Sequence, residues 1–175
     1  MDELYLAVPS PAHKEQVMAF KAEMLEYGSD FDGCNGLDNV DTYEEWLDFH
    51  GREERKGWVP SHTWVTVRRS DGRVVGIVNF RTPLTDFLRQ FGGHIGYCIR
   101  PTERRKGYAK EQLRLTLERC REAGEKKVLV TCDPANAASE RTILANGGVL
   151  ASEVEDKPGL GDSGVIRRYW ITIQE

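Results

Sequence analysis

Six consecutive residues, Arg104-Arg105-Lys106-Gly107-Tyr108-Ala109, bring three cations and a glycine to the point where a helical pattern begins. A turn that delivers free backbone N–H groups at a helix start is an anion site. Gly107 lets a bulky anion approach the backbone, and Arg104, Arg105 and Lys106 add charge. The ligand predicted on chemistry alone is a phosphate or pyrophosphate. The turn is neither a P-loop, since G-x-x-x-x-G-K-[ST] is missing, nor the three-glycine dinucleotide fingerprint. The competing reading is a helix start with a solvated basic cluster.

Two elements must position this turn. Before it, Ile95, Tyr97 and Ile99 alternate with His94, Gly96, Cys98 and Arg100, which predicts a strand that Pro101 stops. After it, Ala109, Leu113, Leu117 and Cys120 recur at helical spacing with charged residues between them, which predicts a helix to about Ala123. Downstream, the apolar run 126–132 reads as a further strand. It is followed by Asp133-Pro134-Ala135-Asn136 and a second helix to about Asn146, closed by Gly147-Gly148.

The element Arg104-x-x-Gly107-x-Ala109, set after a hydrophobic strand, resembles the pyrophosphate motif R/Q-x-x-G-x-G/A of the GNAT superfamily of N-acetyltransferases. Asn136-x-x-Ser139 is similar to the N-x-x-S/A element that the family places after its next strand. The resemblance covers essentially the whole chain. It implies a mixed α/β (α+β) fold with a mostly antiparallel twisted sheet of about seven strands, flanking helices and a splayed parallel strand pair. It also implies acetyl-CoA as cosubstrate, without a metal. The backbone near Ile99 would hold the pantetheine arm, and Arg104, Arg105, Lys106, Gly107, Tyr108, Ala109 and Lys110 would hold the pyrophosphate. Asn136 would bind the arm or its adenine-side water network, and Ser139 or Arg141 could reach phosphate. Both Asn136 and Ser139 are equally good helix caps.

The implied reaction is direct attack of an amine on the thioester, and it needs a base for the amine and a proton donor for the thiolate. Base candidates are His94, Cys98, Asp133 and Glu103. His94 has the suitable intrinsic pKa, though a histidine at a strand start also serves structure. Cys98 as an acyl-carrying nucleophile would need a cationic partner, and a small buried cysteine is the other reading. Tyr97 and Cys98 point to opposite faces, so only one can line a cleft. The family's usual helix tyrosine is missing from Arg141-Thr142-Ile143-Leu144. Thr142, Tyr108, a water or free thiolate departure must substitute, which leaves the acid unassigned. Asn79 and Arg81 are candidate substrate residues. An acidic lip of Asp30, Asp32, Asp38 and Asp41 favours a cationic amine, from a small molecule or a peptide. A non-catalytic CoA-binding or regulatory module on the same fold is the alternative function.

Composition sets the outer bounds. The chain has 175 residues, 30% of them charged, and a formal net charge of −4, so no global basic field favours nucleic acid. No apolar run suits a membrane span and no signal pattern opens the chain, so a cytoplasmic protein is expected. Cys34, Cys98, Cys120 and Cys132 are scattered, which argues against a zinc site or a disulfide framework. Residues 4–8 predict a first strand, and 13–27 a helix with Val17, Phe20, Met24 and Tyr27 on its buried face. Residues 28–41, rich in Gly, Asp and Asn, predict a solvated loop or substrate lip; EF-hand spacing fails there. A helix over 42–56 with Thr42 and Glu45 as a capping box follows. Strands at 63–69 and 73–81 form a hairpin about Ser70-Asp71-Gly72, and 82–93 is an insert with one or two helical turns in its middle. Strands at 149–155 and 165–173 close the chain as an antiparallel pair. The whole, residues 1–175, reads as one domain, and an exposed C-terminal strand could pair two copies into a homodimer.

Overall fold

The computed structural model describes residues 2–50, 59–155 and 162–174. Its elements follow the expected order: β1 (Leu4–Ala7), α1 (Lys14–Glu26), α2 (Tyr43–His50), β2 (Ser61–Arg68), β3 (Val74–Arg81), β4 (Ile95–Ile99), α3 (Tyr108–Glu122), β5 (Lys127–Cys132), α4 (Ala137–Ala145), β6 (Gly148–Glu155) and β7 (Val165–Thr172). The expected continuation of α2 to residue 56 lies outside the described residues. So do Trp58 and most of the 156–164 linker.

The strands form two sheets, β1-β2-β3-β4 and β5-β7-β6, with antiparallel pairing in each. The final pair forms as expected, but β7 lies between β5 and β6. The C-terminal strand is therefore not an exposed edge. That place falls to β6, where Val149 and Leu150 are exposed. The turn sequence in residues 70–72 works as predicted, with Gly72 at a positive φ that closes the hairpin.

Local signals in the sequence explain most helix ends. Thr42 Oγ1 accepts from Glu45 N–H (3.2 Å), and Glu45 returns a carboxylate oxygen to Thr42 N–H (3.4 Å), so the capping box is real. In α1, Val17, Phe20 and Met24 are fully buried, whereas Tyr27, expected on that face, is exposed where the helix ends. The apolar face of α1 packs with Tyr43, Trp46, Val65, Ile77 and Cys98 on one side of the first sheet. Helix α3 covers the other side. Its Leu113 and Cys120 join Val78, Ile95 and Val128 in a core that spans both sheets.

Two placements depart from the sequence reading. The 28–41 segment is not a solvated loop, because Cys34 and Leu37 are fully buried. Trp46 Nε1–H donates to Cys34 O (2.9 Å), and a short 3-10 turn at Leu37–Asn39 folds the segment inward. Burying a leucine side chain is worth about 1.5–3 kcal/mol, enough to offset a polar composition. In α3, Gln112 rather than Ala109 occupies the fully buried stripe, and its Nε2 donates to Thr66 Oγ1 (2.8 Å). Gly76 makes room for it, since a Cβ there would sit 2.6 Å from that Nε2.

Candidate active site

The two sheets touch at the start of β4 and separate beyond it. His94 N–H donates to Leu129 O (2.8 Å), and Leu129 N–H donates back to the imidazole Nδ1 (2.8 Å). From there the described residues of β4 and β5 share no ladder. Further along, the Tyr97 hydroxyl meets Ser139 Oγ at the start of α4 (2.8 Å), and Cys132 lies close enough to act on its charge. The advance from His94 to Tyr97 thus runs alongside that from Leu129 to Cys132, so the strands are parallel and splayed. Arg81 N–H to His94 O (2.7 Å) and Arg100 N–H to Val75 O (2.8 Å) place the even-numbered residues of β4 on the β3 ladder. The peptide groups of Tyr97 and Ile99 consequently face the opening.

The opening ends at the basic turn. Arg105 (φ 61°) and Gly107 (φ 81°) both adopt left-handed backbone, which folds the chain into a concavity of the kind that gathers N–H groups. Gly107 is the N-cap of α3, and Glu111 N–H to Gly107 O (3.2 Å) closes the first turn. The preceding N–H groups are those a helix start leaves without intrahelical acceptors. Arg105, Lys106 and Gly107 are exposed, as is Lys110, whereas Tyr108 is buried with Leu4, Val75 and Ile99. The Tyr108 hydroxyl donates to Asp2 (2.6 Å) and accepts from Arg68 (3.3 Å), so it anchors the helix start and does not reach the opening. Arg104 turns back as well. Its Nε–H donates to Ile99 O (2.9 Å) and its Nη2 to Ser29 Oγ (3.1 Å).

Two carboxylates brace the turn, and sequence reading did not assign them that work. Glu103, 4% exposed, pairs with Arg73 (2.7 Å), Lys106 (2.7 Å) and Arg68 (2.9 Å). Burial alone would raise its pKa, but the hydrogen bonds and charges of Lys106 and Arg68 outweigh that and hold it below the ordinary value. Glu23 of α1 pairs with Arg100 (2.5 Å) and accepts from Thr102 N–H (2.8 Å) and its hydroxyl (2.7 Å). Glu103 is thus committed to charge pairing and is not free to serve as a base.

The other base candidates fall in three different places. His94 is buried and its Nδ1 is occupied by Leu129. Burial lowers its pKa and keeps it neutral, at the closed end of the splay. A recess of about 450 Å³ that includes Thr82, Arg89, Lys127 and Trp170 adjoins His94 at this closed end, away from the basic turn. Cys98 points away from the opening, and its Sγ lies 3.0 Å from Cys34 Sγ in the core, both thiols free. Asp133 accepts from Ala135 N–H (2.7 Å) and Ser163 N–H (3.0 Å), which is turn chemistry. Burial would raise its pKa, but these backbone donors win and keep it below the ordinary aspartate value.

Asn136 caps α4, its side chain accepting from Ser139 N–H (3.1 Å), while the Ser139 hydroxyl turns to Tyr97. Asn79 is buried, and its amide nitrogen donates to Thr63 Oγ1 (2.9 Å) and His62 O (3.3 Å). Arg81 donates from Nη2 to Gly92 O (2.9 Å), and its buried Nε–H has no partner among the described residues. Thr142 bonds back to Ala138 O (2.9 Å) within α4. The hydroxyl that does stand at the splay is Tyr97. Alternation in the strand placed it on one face, but only the tertiary fold brings Ser139 to it. The described residues contain no group of three or more His, Cys, Asp or Glu arranged for a metal. None of their helices is long and apolar enough to cross a membrane.

With this geometry in place, the comparisons with known proteins are decisive for class. The acetyltransferase (GNAT) domain family matches residues 3–149, and the chain belongs to that family of acetyl-transferring enzymes. No curated protein matches it in sequence. Among solved structures it is similar to an acetyltransferase from Salmonella typhimurium that modifies the N-terminal serine of a ribosomal protein, with 16% identity, TM-score 0.67, and 98% of this chain and 95% of that one covered. It is also similar to a putative acetyltransferase from Salmonella typhimurium solved with acetyl-CoA (15% identity, TM-score 0.66, 98% and 95% covered). A microcin self-immunity acetyltransferase solved with acetyl-CoA and AMP gives 17% identity, TM-score 0.69, and 99% and 94% coverage. At these identities the likeness is one of fold.

Proposed function

We propose that the chain acts as one N-acetyltransferase domain, moving an acetyl group from acetyl-CoA to a primary amine of a small molecule or peptide by direct attack. The observation that carries this reading is the splay beyond His94–Leu129, whose unladdered β4 peptide groups lead to the left-handed turn at Arg105–Gly107. These features fit the cosubstrate: free strand peptides suit the amides of a pantetheine arm, and a basic helix start suits a pyrophosphate. Structures of similar fold solved with acetyl-CoA support the choice.

Bound acetyl-CoA supplies an activated acetyl group. Arg105 and Lys106, with the N–H groups of Gly107 and the first turn of α3, hold its phosphates. Arg104 acts indirectly, fixing Ile99 O so that the strand end keeps its shape. Peptide N–H groups at Tyr97 and Ile99 are placed to steady the thioester oxygen. The Tyr97–Ser139 hydroxyl pair at the splay is assigned as the proton source for the departing thiolate. Burial raises the Tyr97 pKa, only partly opposed by its bond to Ser139, so the phenol keeps its proton at neutral pH. A homodimer, if formed, would use the β6 edge with its exposed Val149 and Leu150 in place of the C-terminal strand.

A thermal-shift assay with acetyl-CoA, CoA and ATP side by side tests the reading, because a ligand that binds only the folded state raises the melting temperature. A rise with both CoA species and none with ATP is expected. No rise with either would refute it.

A further inference from the structure

The reaction needs a base to take a proton from the acceptor amine, and the geometry above occupies His94, Cys98, Asp133 and Glu103 elsewhere. Among the described residues, the 28–41 segment brings another carboxylate to β4. Gly33 is stacked on the peptide joining Gly96 to Tyr97, so closely that a Cβ on Gly33 would lie 2.1 Å from Gly96 O and 2.6 Å from Tyr97 N. Gly96 reciprocates, with any Cβ there 3.1 Å from Gly33 N and 3.2 Å from Arg81 Nη2. Two facing glycines let the 28–41 segment sit directly on β4. Trp46 holding Cys34 O, and Cys34 packed on Cys98, keep it there.

The neighbour of Gly33 is Asp32. It is solvent-accessible, with no ion pair or hydrogen bond to its carboxylate among the described residues. Desolvation by the surrounding protein, reinforced by Asp30, raises its pKa, while Arg81 opposes the rise. The same carboxylate acts electrostatically on the Tyr97 phenol. Arg81 supplies the second, independent sign of a ligand. Its guanidinium is buried beside Gly96, desolvation lowers its pKa against the pull of Asp32, and its Nε–H has no partner among the described residues. Buried donors without partners are rare, and a carbonyl of the acceptor molecule, next to its ammonium, would satisfy this one.

We infer that Asp32 forms the acceptor site, binding a primary ammonium group and taking its proton as the general base. This rests on the acetyl-transfer reading of the splay. The basic turn, α3 and α4 lie on one side of β4, whereas Asp32, Gly33 and Arg81 lie on the Gly96–Cys98 side, so the amine meets the thioester from the opposite face. One proton passes from the ammonium nitrogen to a carboxylate oxygen of Asp32. The freed lone pair forms the C–N bond, and the C–S bond breaks with its electron pair left on sulfur. A second nitrogen proton is lost as the amide forms, and the thiolate is protonated from the Tyr97–Ser139 pair, which that proton replenishes. Asp30 alongside favours cationic acceptors over anionic ones.

The test is Asp32→Asn, assayed with acetyl-CoA and a panel of N-terminally free tripeptides and aliphatic diamines. Removing a general base typically costs about 10²–10⁴-fold in rate. The expected result is a fall of that order in kcat/KM for every amine the native enzyme uses, with loss of the low-pH limb of its profile. Acetyl-CoA should raise the melting temperature of both proteins equally, because Asp32 does not touch the turn. A variant with native kcat/KM and an unaltered pH profile would overturn the assignment. If the native protein acetylates no amine on the panel, the acetyl-transfer reading fails first; the acetyl-CoA melting shift then reports whether the cofactor site fails with it.

Discussion

Replacing His94 by leucine separates a sheet clasp from a catalytic base. The imidazole Nδ1 is the acceptor for the buried Leu129 N–H, and a leucine leaves that donor unsatisfied at about 1–3 kcal/mol. The ring also packs with Phe80 (centroids 6.2 Å) and edge-on to Trp170 (6.2 Å). Such aromatic contacts are worth about 0.5–1.5 kcal/mol each, part of which the apolar leucine recovers by its own burial. A net loss of about 2–3 kcal/mol corresponds to roughly 5–10 °C in melting temperature for a chain of this size. His94→Asn should recover part of the loss, because its Oδ1 can stand where Nδ1 stood. Differential scanning calorimetry measures the shift, and acetyl transfer at saturating acetyl-CoA, run well below the melting point, measures the rate. The clasp assignment requires a lowered melting temperature and a rate within a few-fold of native. A rate loss of about 100-fold or more with an unchanged melting temperature would refute it, since that is what removing a base does.

Four further outcomes follow from the same geometry. Gly107→Asp places a side chain and a negative charge at a left-handed helix N-cap, and should abolish CoA binding in isothermal titration calorimetry. Cys98→Ser should leave acetyl transfer intact and show no acyl-enzyme by mass spectrometry, because the thiol faces Cys34 in the core. Gly33→Ala cannot be accommodated 2.1 Å from Gly96 O, so it should displace the 28–41 segment and raise KM for the amine more than KM for acetyl-CoA. Stability should fall as pH drops below about 6.5, because His94 is held below that ordinary value in the fold and the unfolded chain takes the proton first. Glu23 and Glu103, both held below 4.5, add a second loss as pH falls from there through their folded values; chemical denaturation from about pH 2 to about pH 8 would reveal both steps.

How much of this could be read from the sequence depended on whether the governing contact was local. The β4–turn–α3 unit was legible because alternation, Pro101, Gly107 and the helical spacing all act within a few residues of one another. The Thr42–Glu45 capping box was legible for the same reason. The partners of the basic turn were not. Three adjacent cations read as phosphate ligands, and nothing local tells that Arg104 also bonds Ile99 O and Ser29 or that Lys106 also pairs with the buried Glu103. Nothing in the spacing of Arg68, Arg73 and Glu103 announces that they meet.

The 28–41 segment marks the same limit from the other side. Its glycines and aspartates signal a solvated loop by composition, and by composition alone that reading is sound. What reverses it is a single long-range coincidence: Gly33 and Gly96 both lack side chains where two backbones cross, so Cys34 and Leu37 can reach the core behind them. A loop held that closely no longer samples solvent freely, and a carboxylate on it acquires a fixed position. Asp32 reads as one acid in a polar lip only while the loop is taken as solvated. Once Gly33 is seated on β4, Asp32 is tied to the backbone beside Tyr97, and the acidic composition becomes a question of which carboxylate faces the opening.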